Sequence, residues 1–167
     1  MFTPKPISPG GVPGALQKAE RYRLLNEPGA AESICLDILE IDPDNQAALV
    51  MLILARTDQF AEPGSGPPAR AREVLPRLTD PYQRTYYAGV IHERRAKALL
   101  NSGRPGSASM AYAGFTEAME CYEAAEALSA AGNDEARLRW NTCARILNDT
   151  PHLAPRGEER FEPSLGE

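Results

Sequence analysis

Between Ala15 and Asn45 the chain reads ALQKAERYRLLNEPGAAESICLDILEIDPDN, and few folds accommodate that pattern. Apolar residues recur at helical spacing on both sides of a break at Asn26-Glu27-Pro28-Gly29, which predicts two helices joined by a tight turn. Small side chains stand at Ala19 and Ala31, where two helices folded on each other must approach closely. Bulkier ones, Tyr22, Cys35 and Ile38, stand one turn away. Asp42-Pro43-Asp44-Asn45 closes the unit. Proline disfavours the helical conformation of the residue before it, and Asp44 or Asn45 can then cap a following helix.

The same punctuation continues down the chain. The spacing predicts helices over 14–25, from 28 to the Asp42-Pro43 stop, and over 46–60. Four more follow over 69–78, 81–102, 107–130 and 135–148. The third contains ALVMLILA and is apolar nearly all round, so it must be buried on most faces. AEPGSGPP links it to the fourth, where Ala71, Leu75 and Leu78 repeat the spacing of Ala31, Cys35 and Ile38. Asp80-Pro81 opens the fifth helix and Gly103 closes it. In the sixth, Ala118, Tyr122 and Ala125 again place small and aromatic residues a turn apart. Trp140, Cys143, Ala144 and Leu147 form the apolar stripe of the seventh, which Thr150-Pro151 ends.

This pattern resembles the tetratricopeptide repeat, a helix–turn–helix unit of about 34 residues. Counting back from Pro43, the family's small positions fall on Ala19 and Ala31, its large aromatic position on Tyr22 and its terminal proline on Pro43 itself. Ala15, Lys18 and Cys35 depart from it, standing where Trp, Leu and an aromatic are usual. The equivalent alanines Ala31, Ala71 and Ala118 lie 40 and 47 residues apart, so the repeat is irregular. The resemblance implies an all-α, right-handed α-solenoid of about three helical pairs plus a C-terminal capping helix. A Pro-rich arm (1–13) would precede that domain (14–149), and an acidic, Pro-containing tail (150–167) would follow it. We expect the arm to be extended and largely free.

Composition bounds the function. A formal charge of −5 argues against nucleic acid, whose phosphates need a concentrated basic face. No stretch approaches the roughly 20 apolar residues of a membrane span, and the N-terminus lacks the apolar core of a secretory signal. Cys35, Cys121 and Cys143 form no CxxC pair, as expected of reduced, packed thiols in a cytoplasmic protein. No phosphate-binding glycine loop and no metal-ligand spacing occurs, so neither cofactor nor metal is expected. His92 and Cys121 are the one conceivable nucleophilic pair, and the expectation is of no catalysis.

The resemblance implies instead a protein-binding scaffold, in which the first helices of successive pairs line a concave groove. On this sequence the candidate groove residues are Arg23, Tyr86, Glu93, Arg94, Asn141 and Arg145. Arginine forks would grip a partner's backbone or carboxylates while Tyr86 supplies apolar area. Family members that hold a terminal carboxylate use a lysine–asparagine–lysine set. Leu16 and Glu20 occupy two of those positions here, so that specific recognition is not expected. The partner would be a peptide or protein, with self-association as a further option. The chain's own ERFEPSLGE, with Phe161 and Leu165 among acidic residues, has the character of an occupant. The competing expectation is a small-molecule binder or enzyme with a pocket between the fifth, sixth and seventh helices.

Overall fold

The second, third and fifth helices take their boundaries from local chemistry. In the computed structural model, which describes residues 2–62 and 68–154, the elements are α1 (Val12–Leu24), α2 (Pro28–Ile41), α3 (Gln46–Asp58), α4 (Ala69–Arg72), α5 (Pro81–Ser102), α6 (Ser107–Leu128) and α7 (Glu135–Asp149). No strand occurs among the described residues, so the chain is all-α there. Pro28 sits at the start of α2, where its missing N–H has no helical acceptor to lose. Asn45 Oδ1 accepts the Ala48 N–H at 2.9 Å to cap α3. Asp80 Oδ1 accepts the Tyr82 N–H at 2.9 Å to cap α5. Gly103, at φ +61°, takes the left-handed conformation that ends α5.

Helices adjacent in sequence pack side by side. α1 and α3 both lie against α2, α6 lies between α5 and α7, and α3 against α5 joins the two groups. The alanines singled out by spacing, Ala19, Ala31, Ala71, Ala118 and Ala125, are all fully buried, as are Cys35, Ile38 and Tyr122. One core cluster draws on α1 to α4 and the other on α5 to α7. They interlock: Ile91 of α5 belongs to the first, while Leu54 of α3 packs against the second. α5 and α6 come especially close. A Cβ on Gly114 would stand 3.1 Å from that of Ala96, and one on Gly89 would stand 2.6 Å from the Tyr122 ring.

A buried carboxylate pins α4. Glu32 of α2 accepts hydrogen bonds from Arg56 Nε (2.9 Å), Gln59 Nε2 (2.9 Å) and Arg70 Nη2 (2.6 Å). A second tie holds the α2–α3 turn to the approach to α5: Thr79 N–H donates to Gln46 Oε1 at 2.9 Å, and Arg77 Nη2 to the Pro43 carbonyl at 2.5 Å.

Two expectations are revised. The helix predicted over 69–78 is α for one turn only and finishes as a 3-10 turn at Leu75–Arg77. Pro76 is the cause, since it lacks an N–H for the Arg72 carbonyl and disfavours helical geometry at Leu75. The N-terminal arm is not wholly free either. Pro9–Gly11 forms a 3-10 turn, and Ile7 and Val12 pack against the first cluster. At the other end, Pro151–Leu153 forms a 3-10 turn against α6 and α7 with Leu153 buried. The segment ERFEPSLGE lies outside the described residues.

Candidate functional site

The odd-numbered long helices are joined along one side by charged side chains. Arg23 of α1 donates from Nε to Asp58 Oδ2 of α3 at 2.6 Å. Arg94 of α5 reaches the same carboxylate with Nη1, which also donates to Thr57 Oγ1 (2.8 Å) and the Leu54 carbonyl (3.2 Å). One turn along α5, Lys97 Nζ donates to Glu93 Oε1 at 2.5 Å. Arg139 of α7 completes the row, from Nη1 to Glu93 Oε2 at 3.0 Å and from Nε to Tyr86 Oη at 2.8 Å. Tyr122 of α6 donates its hydroxyl to Glu93 Oε2 at 2.6 Å from beneath.

Glu93 is 1% exposed, and a carboxylate so placed must be paired or neutral. Burial pushes its titration upward, but Lys97, Tyr122 and Arg139 outweigh that and hold it below the usual carboxylate range. Arg94 goes the other way for a cation. Burial lowers it, Asp58 opposes, and the like charges of Arg23 and Arg139 add to the lowering. Tyr86 stacks on Tyr82, with ring centroids 5.7 Å apart, and the Arg139 guanidinium lies 5.8 Å from its centroid.

Between these groups opens a cleft of about 340 Å³, lined by Asp58 and Phe60 of the α3 end, by Arg94, Lys97 and Asn101 of α5, and by Arg139. That volume falls at the lower end of the range typical of ligand sites. Two further hollows lie along α5 and α6: one holds about 180 Å³, below that range, and one of about 660 Å³, within it, opens toward the end of α3 and is lined by Phe60, Arg95, Leu99, Arg104 and Met110.

The structure thus gathers four of the candidate residues, Arg23, Tyr86, Glu93 and Arg94, in one row. Two of them are spent inside the protein: Tyr86 is 8% exposed, and Glu93 serves as an internal anchor. Asn141 and Arg145 stand apart. α7 buries Ala136 and Cys143, and at 100° per residue Asn141 and Arg145 fall on the opposite face, away from Glu93. Arg139 is the α7 residue that reaches α5. Its position relative to Ala136 and Cys143 was available in the sequence, but the target, Glu93, was not. Asp58 and Thr57 were likewise unmarked, at the C-terminal end of an apolar helix.

The remaining reactive side chains lie elsewhere. His92 Nδ1 sits 2.7 Å from Glu117 Oε2. Burial, with Glu120 and Glu117, pushes the Cys121 thiol up, which is the reverse of activation. Burial likewise pushes Cys35 and Cys143 up to about 12. Among the described residues no group of three or more His, Cys, Asp or Glu side chains is placed to hold a metal ion, and no helix is long and apolar enough to cross a membrane. Comparison with protein-family models, with curated proteins and with solved structures finds no match to this chain.

Proposed function

We propose that the chain is a non-catalytic, tetratricopeptide-like α-solenoid scaffold that receives a peptide or protein segment on the side shared by α1, α3, α5 and α7. One observation carries this reading. Side chains from all four helices form two bonded polar groups, Arg23–Asp58–Arg94 and Lys97–Glu93–Arg139, which meet at the neighbouring α5 residues Glu93 and Arg94 beside an open cleft. Groups so bonded are pre-organised, so a partner laid across them orders few additional side chains. A cytoplasmic setting suits three cysteines that are free in the fold.

Selection of random displayed peptides on the full-length chain, followed by amide-exchange mapping of the winners, tests the reading. Specific binders that protect α3, α5 and α7 are expected. Failure to select any binder, or protection confined to α2 and α6, would overturn it.

A further inference from the structure

Counting charges along the row shows an imbalance. Arg23, Arg94, Lys97 and Arg139 bring four cations, while Asp58 and Glu93 bring two carboxylates. Two positive charges are left over, in a chain whose formal charge is −5. The surplus is not spread over solvated lysines. The side chains of Arg94 and Arg139 are only 21% and 30% exposed, and that of Lys97 is 41% exposed. Partly desolvated cations without matching anions are costly unless something supplies the missing charge.

The guanidinium bonds show what is spare. Among the described residues Arg94 donates through Nη1 alone, and Arg139 through Nε and Nη1. Nε and Nη2 of Arg94 and Nη2 of Arg139 are therefore unengaged there, and Lys97 Nζ uses one of its three donors. Both arginines and Lys97 line the same cleft, with the Asn101 amide and the Phe60 ring at its edge.

We infer that this cleft is a carboxylate site, and that the segment it takes is an acidic peptide stretch whose Asp or Glu side chains are held by Arg94, Lys97 and Arg139. The inference rests on the scaffold reading above and narrows it. A carboxylate accepts the spare guanidinium donors and cancels part of the surplus charge, and Phe60 offers apolar surface to a neighbouring side chain. Asp58 and Glu93 then act as fixtures that hold the arginines in place, since each is already fully engaged by cations of the row. Residues on the far face of α7, Arg145 among them, do not contribute.

The test uses the full-length chain and a capped pentapeptide of four Glu around one Phe, with the four-Gln counterpart as control. Fluorescence-polarisation titration should show the Glu peptide binding at least about tenfold more tightly, with the difference shrinking as salt rises. Lys97→Gln removes a half-exposed cation and should weaken the Glu peptide about tenfold, leaving the Gln peptide unaffected. Asn101→Glu places a carboxylate at the cleft edge on an exposed position and should abolish the preference, while Arg145→Gln should change nothing. Unaltered circular dichroism of each variant separates lost binding from lost folding. Inorganic phosphate distinguishes the source: displacement of the peptide by phosphate at the peptide's own concentration would mark a small-anion site and overturn the proposal. Equal affinity for both peptides would also overturn it. If displayed peptides nonetheless bind this side and are neutral, the scaffold reading survives alone; if none bind there, both fall.

Discussion

Gly89 shows how one absent atom sets a whole contact. It lies within α5, where glycine is normally unfavourable by roughly 1 kcal/mol relative to alanine. On an open helix face Gly89→Ala would therefore stabilise. Here the added Cβ would stand 2.6 Å from the Tyr122 ring, whose hydroxyl is committed to Glu93. We expect the substitution to destabilise by about 1–3 kcal/mol, read from the urea midpoint, because the ring must shift in a packed site. A raised midpoint would show that the ring yields freely. Sequence reading located the small residues that permit close packing, Ala31 and Ala118 among them, because a small residue on an apolar face leaves a periodic trace. It did not locate Glu93 as an anchor. HERRAK looks like a solvated charged face, and the partners that bury it, Tyr122 and Arg139, lie 29 and 46 residues away. Periodicity records which face a residue is on, and carries no record of a distant hydroxyl or guanidinium.

At the scale of elements, boundaries were legible wherever a side chain bonds its own backbone nearby. Asn45, Asp80 and Gly103 act within a few residues, and the helices begin or end there as read. α4 failed that reading because its apolar spacing continued through Pro76 while its hydrogen bonds stopped. Its single turn is too short to be stable by itself, and tertiary ties must hold it. The principal one is Arg70 to Glu32, aided by Arg56 Nη1 to the Arg70 carbonyl at 2.6 Å. Glu32→Gln removes the charge that Arg70 and Arg56 share. Amide exchange over residues 69–78 should then accelerate well before exchange in α5 does. Uniform acceleration across both would mean that α4 opens only with the whole fold.

Across the whole molecule, two buried carboxylates perform the same service in different halves. Glu32 joins α2, α3 and α4, and Glu93 joins α5, α6 and α7. Both are held below the usual carboxylate range. In each case burial alone would act upward and is outweighed, by Gln59, Arg56 and Arg70 for Glu32. A folded-state value below the unfolded one contributes stability that is complete above the ordinary carboxylate value, near 4.3, and lost as pH falls through the lower folded value. Glu93→Gln should accordingly cost about 3–5 kcal/mol at pH 7, and the gap from the parent should narrow below about pH 4. An undiminished gap in acid would assign the cost to shape and not to charge. Glu32 and Glu93 share no partner, so the double variant should show coupling below about 0.5 kcal/mol by denaturation. A larger value would mean that the interlock of Ile91 and Leu54 transmits strain between the halves.

Tyr122 satisfies two demands at once, filling the space above Gly89 and donating a hydrogen bond to Glu93. In descent these become a single inherited unit. A lineage that gains a side chain at position 89 must trim the ring at 122, and the trimmed residue leaves the carboxylate at 93 short of a donor. Position 93 would then drift toward a neutral residue, and Arg139, released from it, toward an uncharged one. Three such replacements in succession would dissolve the charged row through an event that began where α5 packs against the Tyr122 ring of α6.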